Sequence, residues 1–400
     1  MRLEHEFALR RPVAVWIGTA IPNFNSPCLR TLKKPSGSAQ RSCYTTHAFR
    51  FCDRHLPSRT ILLSVGCEFN ANADASAMKT IRFHEIGGPE VLQYEDVERP
   101  RMAPNKVLVR IHAVGVNFAD TLLRRGAYLA QPKLPETPGF EAAGVVVEAG
   151  DETDRNLIGQ RVVVLGEHCY AEYVTASRSQ LIGLPDNISF EQGAAFPVQA
   201  LTAYHMLYTA DRVAPGRTVL VHAAAGGVGL LAVQMAKLGG ARVIGTTSTA
   251  EKAKVVEESG ADDVILYNQT DFVQRVAELT NQRGVDIVLD SVGKATLHGS
   301  LASLAPFGHL ISYGGASGRP DPIDVGSLYS RSLKISAFWL FTVSRTPSVA
   351  QRGVRQVLEW ISNGKIHLRI GLKLPLQQAA EAHRRMEARQ TTGKILLTVE

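Results

Sequence analysis

Hydrophobic and polar positions change rhythm twice along this chain. Residues 1–77 show no sustained period of 2 or 3.6, and Pro, Ser, Asn and Arg are scattered through them. From Met78 the chain reads as short strands punctuated by Gly and Pro. Residues 106–113 (KVLVRIHA) alternate, with Val107, Val109, Ile111 and Ala113 on one face. Residues 144–148, 161–165 and 171–174 follow as strands, and one short helix is expected near 118–125. Such a series predicts a β-rich, barrel-like domain.

From about Leu201 strand and helix alternate. Strands are expected at 218–222, 242–246, 263–267, 285–290 and 309–313, with helices at 229–237 and 250–259 among them. This α/β alternation predicts a parallel, doubly wound sheet. The run 219–236 is apolar over transmembrane length, but Gly226, Gly227 and Gly229 interrupt it where a strand must turn into a helix. No membrane span is expected.

Composition narrows the class. Four hundred residues suit two domains, since one core seldom grows past about 250–300. Hydrophobic residues at 45% and charged residues at 20% exclude a disordered or collagen-like chain. The net charge of +7 invites a nucleic-acid partner, but it is concentrated at one end. Residues 1–77 hold 10 Lys/Arg against 5 Asp/Glu, leaving 34 against 32 from Met78 onward. A nearly neutral folded part argues against nucleic-acid binding, which needs clustered cations.

Four of the five cysteines (Cys28, Cys43, Cys52, Cys67) also lie in the first 77 residues, none in a C-x-x-C pair. Only Cys169 remains beyond them, so no intramolecular disulfide can form there and a reducing cytoplasm is expected. Residues 1–77 are read as an extension ahead of Met78. A targeting signal is the alternative, disfavoured by Glu4 and Glu6 and by the short apolar stretch that Pro22 ends.

The strongest chemical signal is His222-Ala-Ala-Ala-Gly-Gly-Val-Gly229, which follows a strand and opens a helix. Gly226, Gly227 and Gly229 let the backbone approach a pyrophosphate, and with Val228 they offer helix N-terminal N–H groups to it. Ala224 stands where the first fingerprint glycine would be. An NAD site wants an acid about 20 residues on, for the ribose 2′-OH. Here the next strand ends in Thr246-Thr247-Ser248-Thr249 with Lys252 beyond. Glu251, the one nearby acid, fits a capping box with Ser248. Hydroxyls plus Lys252 suit a 2′-phosphate, so the expected cofactor is NADPH.

The motifs 87–92 (GGPEVL), 115–120 (GVNFAD), 138–144 (PGFEAAG), 223–229, 290–293 (DSVG) and 392–397 (TGKILL) occur in order. With them, the chain from Met78 to Glu400 resembles the zinc-free quinone oxidoreductases of the medium-chain dehydrogenase/reductase superfamily. The resemblance implies a GroES-like catalytic domain over 78–200, completed by 341–400, clasping a Rossmann domain over 201–340. It implies that Asn117 and Tyr128 face the nicotinamide end, with Thr202 near it at the domain junction. Thr246, Lys252 and Tyr267 would lie at the 2′-phosphate end, and Ser291, Gly314, Phe338 and Arg389 further along the dinucleotide. A homodimer is implied too, with the apolar run 333–340 as a candidate edge. Where that family branch has an Arg, this chain reads Ala337-Phe338-Trp339-Leu340.

Zinc-using relatives place a Cys near Asn117 and a His beside Glu141, where this chain has Phe140, so no metal is expected. Ketone reduction generates an alkoxide, the anion of an acid about as weak as water at ~15.7, and a Lewis acid helps it greatly. Quinone reduction generates a phenolate-like oxygen with a parent pKa nearer ~10, and an enone gives a delocalised enolate. Both need only orientation and modest hydrogen bonding, which Asn117 or Tyr128 could supply. The expected substrate is therefore a small electrophile, a quinone first. An NADPH-dependent 2-alkenal or enoyl reductase and a non-catalytic NADPH-binding sensor are the alternatives.

Overall fold

The structure, a computed structural model, describes residues 77–400. Expectations for the N-terminal segment and its four cysteines lie outside the described residues. Strands β1 (Ala77–Arg82) and β2 (Gln93–Glu98) pair antiparallel, and β3 (Lys106–Val116) leads into helix α1 (Phe118–Arg124). Then come β4 (Glu141–Ala149), β5 (Arg161–Leu165), β6 (Tyr173–Ser177) and β7 (Leu181–Gly183). Two helices that the strand text did not announce, α2 (Phe190–Ala195) and α3 (Pro197–His205), make the transition.

The alternating part runs β8 (Thr218–Val221), α4 (Gly227–Leu238), β9 (Arg242–Thr247), α5 (Ala250–Glu258), β10 (Asp263–Leu266) and α6 (Phe272–Leu279). It continues with β11 (Val285–Asp290), α7 (Leu297–Ala302), β12 (Leu304–Ser312) and β13 (Lys334–Ala337). The chain ends with α8 (Pro347–Ser362), β14 (Ile370–Pro375), α9 (Ala379–Glu387) and β15 (Lys394–Thr398).

Two large sheets result. One has the order β10-β9-β8-β11-β12-β13, parallel throughout. All four residues of β8 are buried, as a strand covered on both faces requires. The strand order reverses between β8 and β11, and such a switch point opens a crevice at the strands' carboxyl ends. The other sheet has the order β14-β15-β3-β4-β5-β7, with β6 on β3. The C-terminal strand β15 pairs antiparallel with β3, Ile395 opposite Val116, so it returns to the start of the β-rich part.

One buried apolar cluster spans both parts, joining Ala113 and Val163 to Val221, Ile287 and Leu396. The apolar run 219–236 divides between β8 and α4, and no helix of the described residues is long and apolar enough to cross a membrane. Close strand packing explains Gly144 on β4, where a Cβ would lie 1.9 Å from the Arg110 carbonyl oxygen. Backbone cannot yield as a flexible side chain does. Gly144→Ala should therefore destabilise by about 1–3 kcal/mol, read as a lowered Tm with the same NADPH specificity.

Candidate functional site

The glycine turn sits at the end of β8. Ala223 takes a left-handed conformation (φ 49°), and the Gly226 N–H closes the turn on its carbonyl at 2.9 Å. Gly226 caps α4, leaving the first-turn N–H groups of Gly227, Val228 and Gly229 without intrahelical partners. A Cβ at Gly229 would lie 2.4 Å from the Ala223 oxygen, and one at Gly227 would lie 1.9 Å from Gln199 Oε1. Bare backbone is thus a packing requirement at Gly229, which meets main chain, whereas at Gly227 the Gln199 side chain would have to move aside. Ala224 is fully buried. Its methyl is accommodated by Gly245 on β9, where a second Cβ would approach it to 3.0 Å. An anion fits this helix end, because dipole and free donors point the same way.

At the end of β9 the expected capping box of Ser248 and Glu251 does not form. Thr249, not Ser248, caps α5, its hydroxyl accepting from the Lys252 N–H at 3.3 Å. Backbone extension persists one residue longer than the spacing suggested, which puts Lys252 in the first turn. Its ammonium donates to the Arg389 carbonyl at 2.6 Å, and Arg389 is itself exposed. Burial and the neighbouring Arg389 charge lower the Lys252 pKa. Tyr267 is exposed just beyond β10, its N–H on the Thr247 carbonyl at 3.2 Å. Lys252, Tyr267 and Arg389 are the side chains available here to a phosphate. Thr246 is not, because its hydroxyl is turned inward onto His222 Nδ1 at 3.0 Å.

The segment that ends in β15 ties this region to the β-rich part. The Gly393 N–H donates to the Ala225 carbonyl at 2.9 Å, and Gly393 bridges Gly226. The next residue, Lys394, is buried and paired with the fully buried Glu141. Its ammonium also donates to Asn117 Oδ1 at 3.0 Å. Asn117 Nδ2 donates to Glu141 Oε1 at 2.6 Å, and Gln199 Nε2 reaches Asn117 Oδ1 at 3.4 Å. With 4% of its surface exposed, the Asn117 amide has its donors and acceptor occupied by protein. The Val198 N–H at 2.6 Å satisfies the other Glu141 oxygen.

Behind Asn117 lies a second polar group. Asp120 accepts from the Asn117 N–H at 2.7 Å and the Tyr170 hydroxyl at 3.0 Å, both on Oδ2. Oδ1 has no hydrogen-bond partner. Tyr170 also meets His383 Nε2 at 3.0 Å, and Arg124 links His383 Nδ1 (3.5 Å) to Glu387 (2.5 Å). Burial raises the Asp120 carboxyl to about 7, against the opposing Asn117 N–H, the Lys394 charge and the Tyr170 hydroxyl. A carboxyl that binds its proton more tightly folded than unfolded makes stability fall as pH rises between about 4 and 7. Asp120→Asn should flatten that slope. Denaturant melts at pH 5 and pH 8 check it, with the variant losing more relative to wild type at pH 5.

At the ends of β11 and β12, Ser291 and Gly314 touch: a Cβ at Gly314 would lie 2.8 Å from the Ser291 oxygen. Phe338 follows β13, half-buried, its N–H on the Ser312 carbonyl at 2.8 Å. Thr202 is buried on α3. A network missed by motif reading underlies these positions. Asp290 accepts from the Val292 and Gly293 N–H groups (2.8 and 3.0 Å) and from the Thr296 and Ser300 hydroxyls (both 2.8 Å). His222 bridges Ser300 to Thr246, each at 3.0 Å, and burial lowers its pKa, keeping it neutral. Asp290 and His222 thus hold strand ends in place rather than face a ligand. The signal available was Asp290 two and three residues ahead of backbone donors, an Asx-turn spacing.

Tyr128 stands apart from the buried network. Its hydroxyl accepts from Trp339 Nε1 at 2.9 Å, and its ring lies 5.2 Å from that of Phe140. His168 pairs with Glu136 at 2.8 Å, while the buried Cys169 thiol beside it donates to the Gly166 carbonyl at 3.4 Å. Among the described residues, no group of three or more His, Cys, Asp or Glu side chains is placed to hold a metal ion.

Comparison with known proteins agrees with this layout. Residues 103–186 match the family model of the alcohol dehydrogenase GroES-like domain, and residues 227–363 that of the zinc-binding dehydrogenases. The chain is 40% identical to the quinone oxidoreductase of Pseudomonas aeruginosa over 80% of this chain and 99% of that protein. It is 37% identical to a 2-haloacrylate reductase from Burkholderia, over 78% and 97% of the respective chains. The crystal structure of Escherichia coli quinone oxidoreductase complexed with NADPH superimposes with a TM-score of 0.77 at 37% identity, covering 80% of this chain and all of that one. At 40% identity over almost the whole length of the Pseudomonas aeruginosa enzyme, this chain belongs to the quinone oxidoreductase family of the medium-chain dehydrogenases/reductases.

Proposed function

We propose that this protein reduces quinones at the expense of NADPH. The observation that carries the reading is the glycine-lined N-terminus of α4 at the switch point, with the cations of Lys252 and Arg389 near the end of β9. NADPH, when bound, supplies the reducing equivalent. The first-turn N–H groups of α4 would hold its pyrophosphate, and Lys252, Tyr267 and Arg389 its 2′-phosphate. Ser291, Gly314 and Phe338 would flank the dinucleotide, with Thr202 and Asn117 towards its far end.

Filled hydrogen bonding makes Asn117 a positioning residue, one that fixes β3, β4 and β15 around the reacting region. Tyr128 retains a free hydroxyl proton and is the better candidate to steady a developing oxyanion. Burial raises the phenol's pKa, so it stays protonated. A phenolate-like product needs no stronger electrophile than such a donor.

A panel of 1,4-quinones beside a panel of enals, followed by NADPH consumption, tests the reading. Faster quinone turnover supports it. Faster enal turnover favours an activated-alkene reductase, the reading suggested by the similarity to the 2-haloacrylate reductase. Tight NADPH binding without turnover of any electrophile favours a sensor.

We further place the domain boundaries near residues 200 and 340, and a homodimer contact on the outer edge of β13, the last strand of its sheet. Unpaired strand edges favour pairing with another chain. The exposed Val325 and Tyr329 lie on the segment that precedes β13, and the exposed Phe307 on the neighbouring strand β12. Sedimentation at twice the chain mass is expected, and a single-chain mass overturns it. A cytoplasmic setting fits Cys169, a buried free thiol.

A further inference from the structure

Four aromatic rings beside the end of β13 belong neither to the glycine turn nor to the buried polar junction. Tyr128 follows α1, and Phe140 precedes β4. Trp339 and Phe341 come after β13. Ring centroids lie 5.2 Å apart for Tyr128 and Phe140, 5.8 Å for Phe140 and Phe341, and 5.7 Å for Phe341 and Trp339. The N–H of Trp339 closes the circuit on the Tyr128 hydroxyl. Interplanar angles of 40°, 52° and 60° mean that no pair is stacked face to face, and the half-exposed Trp339 ring is the one open to a planar guest. Phe140 forms a buried floor at 5% exposure and Trp339 an open rim at 38%.

The direction of the closing bond is fixed by chemistry. An indole N–H only donates, so the Tyr128 oxygen must accept, and the phenol proton is left to point elsewhere. The bond also joins two parts of the fold 211 residues apart, holding the phenol against the end of the parallel sheet.

We propose that Trp339 is a specificity-determining and positioning residue. Its indole N–H aims the Tyr128 hydroxyl at the acceptor's oxygen, and its ring, with those of Phe140 and Phe341, selects planar aromatic acceptors over short-chain enals. The proposal rests on the quinone reading and names the acceptor class within it. Tyr128 keeps its proton throughout and only hydrogen-bonds the developing oxyanion. Stacking rewards a flat, fused-ring acceptor on its whole face, whereas a short enal offers little surface to the box.

The test compares the full-length wild type with W339F, which keeps a ring but loses the N–H, and W339L, which loses both. Calorimetry with 2-naphthol, a planar phenol that cannot be reduced, reads the box without NADPH. Kinetics with 1,4-naphthoquinone and 2-hexenal read selectivity. W339F should bind 2-naphthol within about threefold of wild type but lose roughly 3–10-fold in kcat for 1,4-naphthoquinone. W339L should also weaken 2-naphthol binding and raise the 1,4-naphthoquinone KM by roughly 3–10-fold, with the 2-hexenal KM nearly unchanged. Y128F, which removes the donor itself, should lose at least as much kcat as W339F, and the double variant should be no worse than Y128F, because the Trp339 N–H acts on the acceptor only through the Tyr128 hydroxyl. Wild-type binding of 2-naphthol by W339L, or an equal rise in the W339L KM for 1,4-naphthoquinone and 2-hexenal, would overturn the proposal. A wild type inert towards every quinone would instead remove the quinone reading, while 2-naphthol binding would still decide whether the rings form a site.

Discussion

Alanine at position 252 should weaken NADPH binding by about 10–150-fold and leave NADH almost untouched, because a charge-assisted hydrogen bond to phosphate is worth roughly 1.5–3 kcal/mol. The two nucleotides differ only in the 2′-phosphate, so a side chain that meets nothing else separates them cleanly. Lys252 is placed for that role by the Thr249 cap, which sets it in the first turn of α5. Its ammonium rests on a backbone carbonyl, a neutral partner that a dianion would readily displace. Arg389 remains in the variant, so part of the discrimination survives. Titrating each nucleotide at low and high salt checks the assignment. The difference should shrink as ionic strength rises, since Arg389 is exposed and Lys252 only half-buried. Equal weakening of both nucleotides would place the 2′-phosphate elsewhere.

Lys394→Met should cost about 3–5 kcal/mol, the usual consequence of leaving a buried charge without its partner. Lys394 is 2% exposed at its side chain and Glu141 0%, so water cannot replace the missing ammonium. Asn117 loses a donor at the same moment, and the returning strand loses its polar anchor beside the glycine turn. Turnover should therefore fall along with stability. A second substitution identifies the cause: Lys394→Met with Glu141→Gln removes both charges and should recover part of the lost Tm. A single variant that melts within about 2 °C of wild type, under 1 kcal/mol for a chain of this size, would mean that the pair contributes little.

Both predictions depend on contacts between distant residues, and that separates what could be read early from what could not. Strand alternation at 106–113 and the strand–glycine–helix succession at 218–238 are written in neighbouring residues, and they folded as read. The amphipathic helix α8 also had a local signal, Val354, Val357, Leu358 and Ile361 at helical spacing, which the strand-centred reading passed over. The cap of α5 was misplaced by one residue because Ser248 and Thr249 are equally capable caps, and only the length of β9 chooses between them.

The amino-acid order by itself determined the two kinds of domain text, the nucleotide turn and the run of hydroxyls with Lys252 that favours NADPH. These follow from side-chain periodicity, backbone freedom and charge within a few residues. Only the tertiary structure decided that Thr246 turns inward, that Asn117 is saturated by Glu141, Lys394 and Gln199, and that Trp339 reaches Tyr128. Such pairings join residues up to 277 positions apart. A buried polar atom takes whichever partner the packed chain brings within 3 Å or so, and no local rule of spacing specifies which that will be.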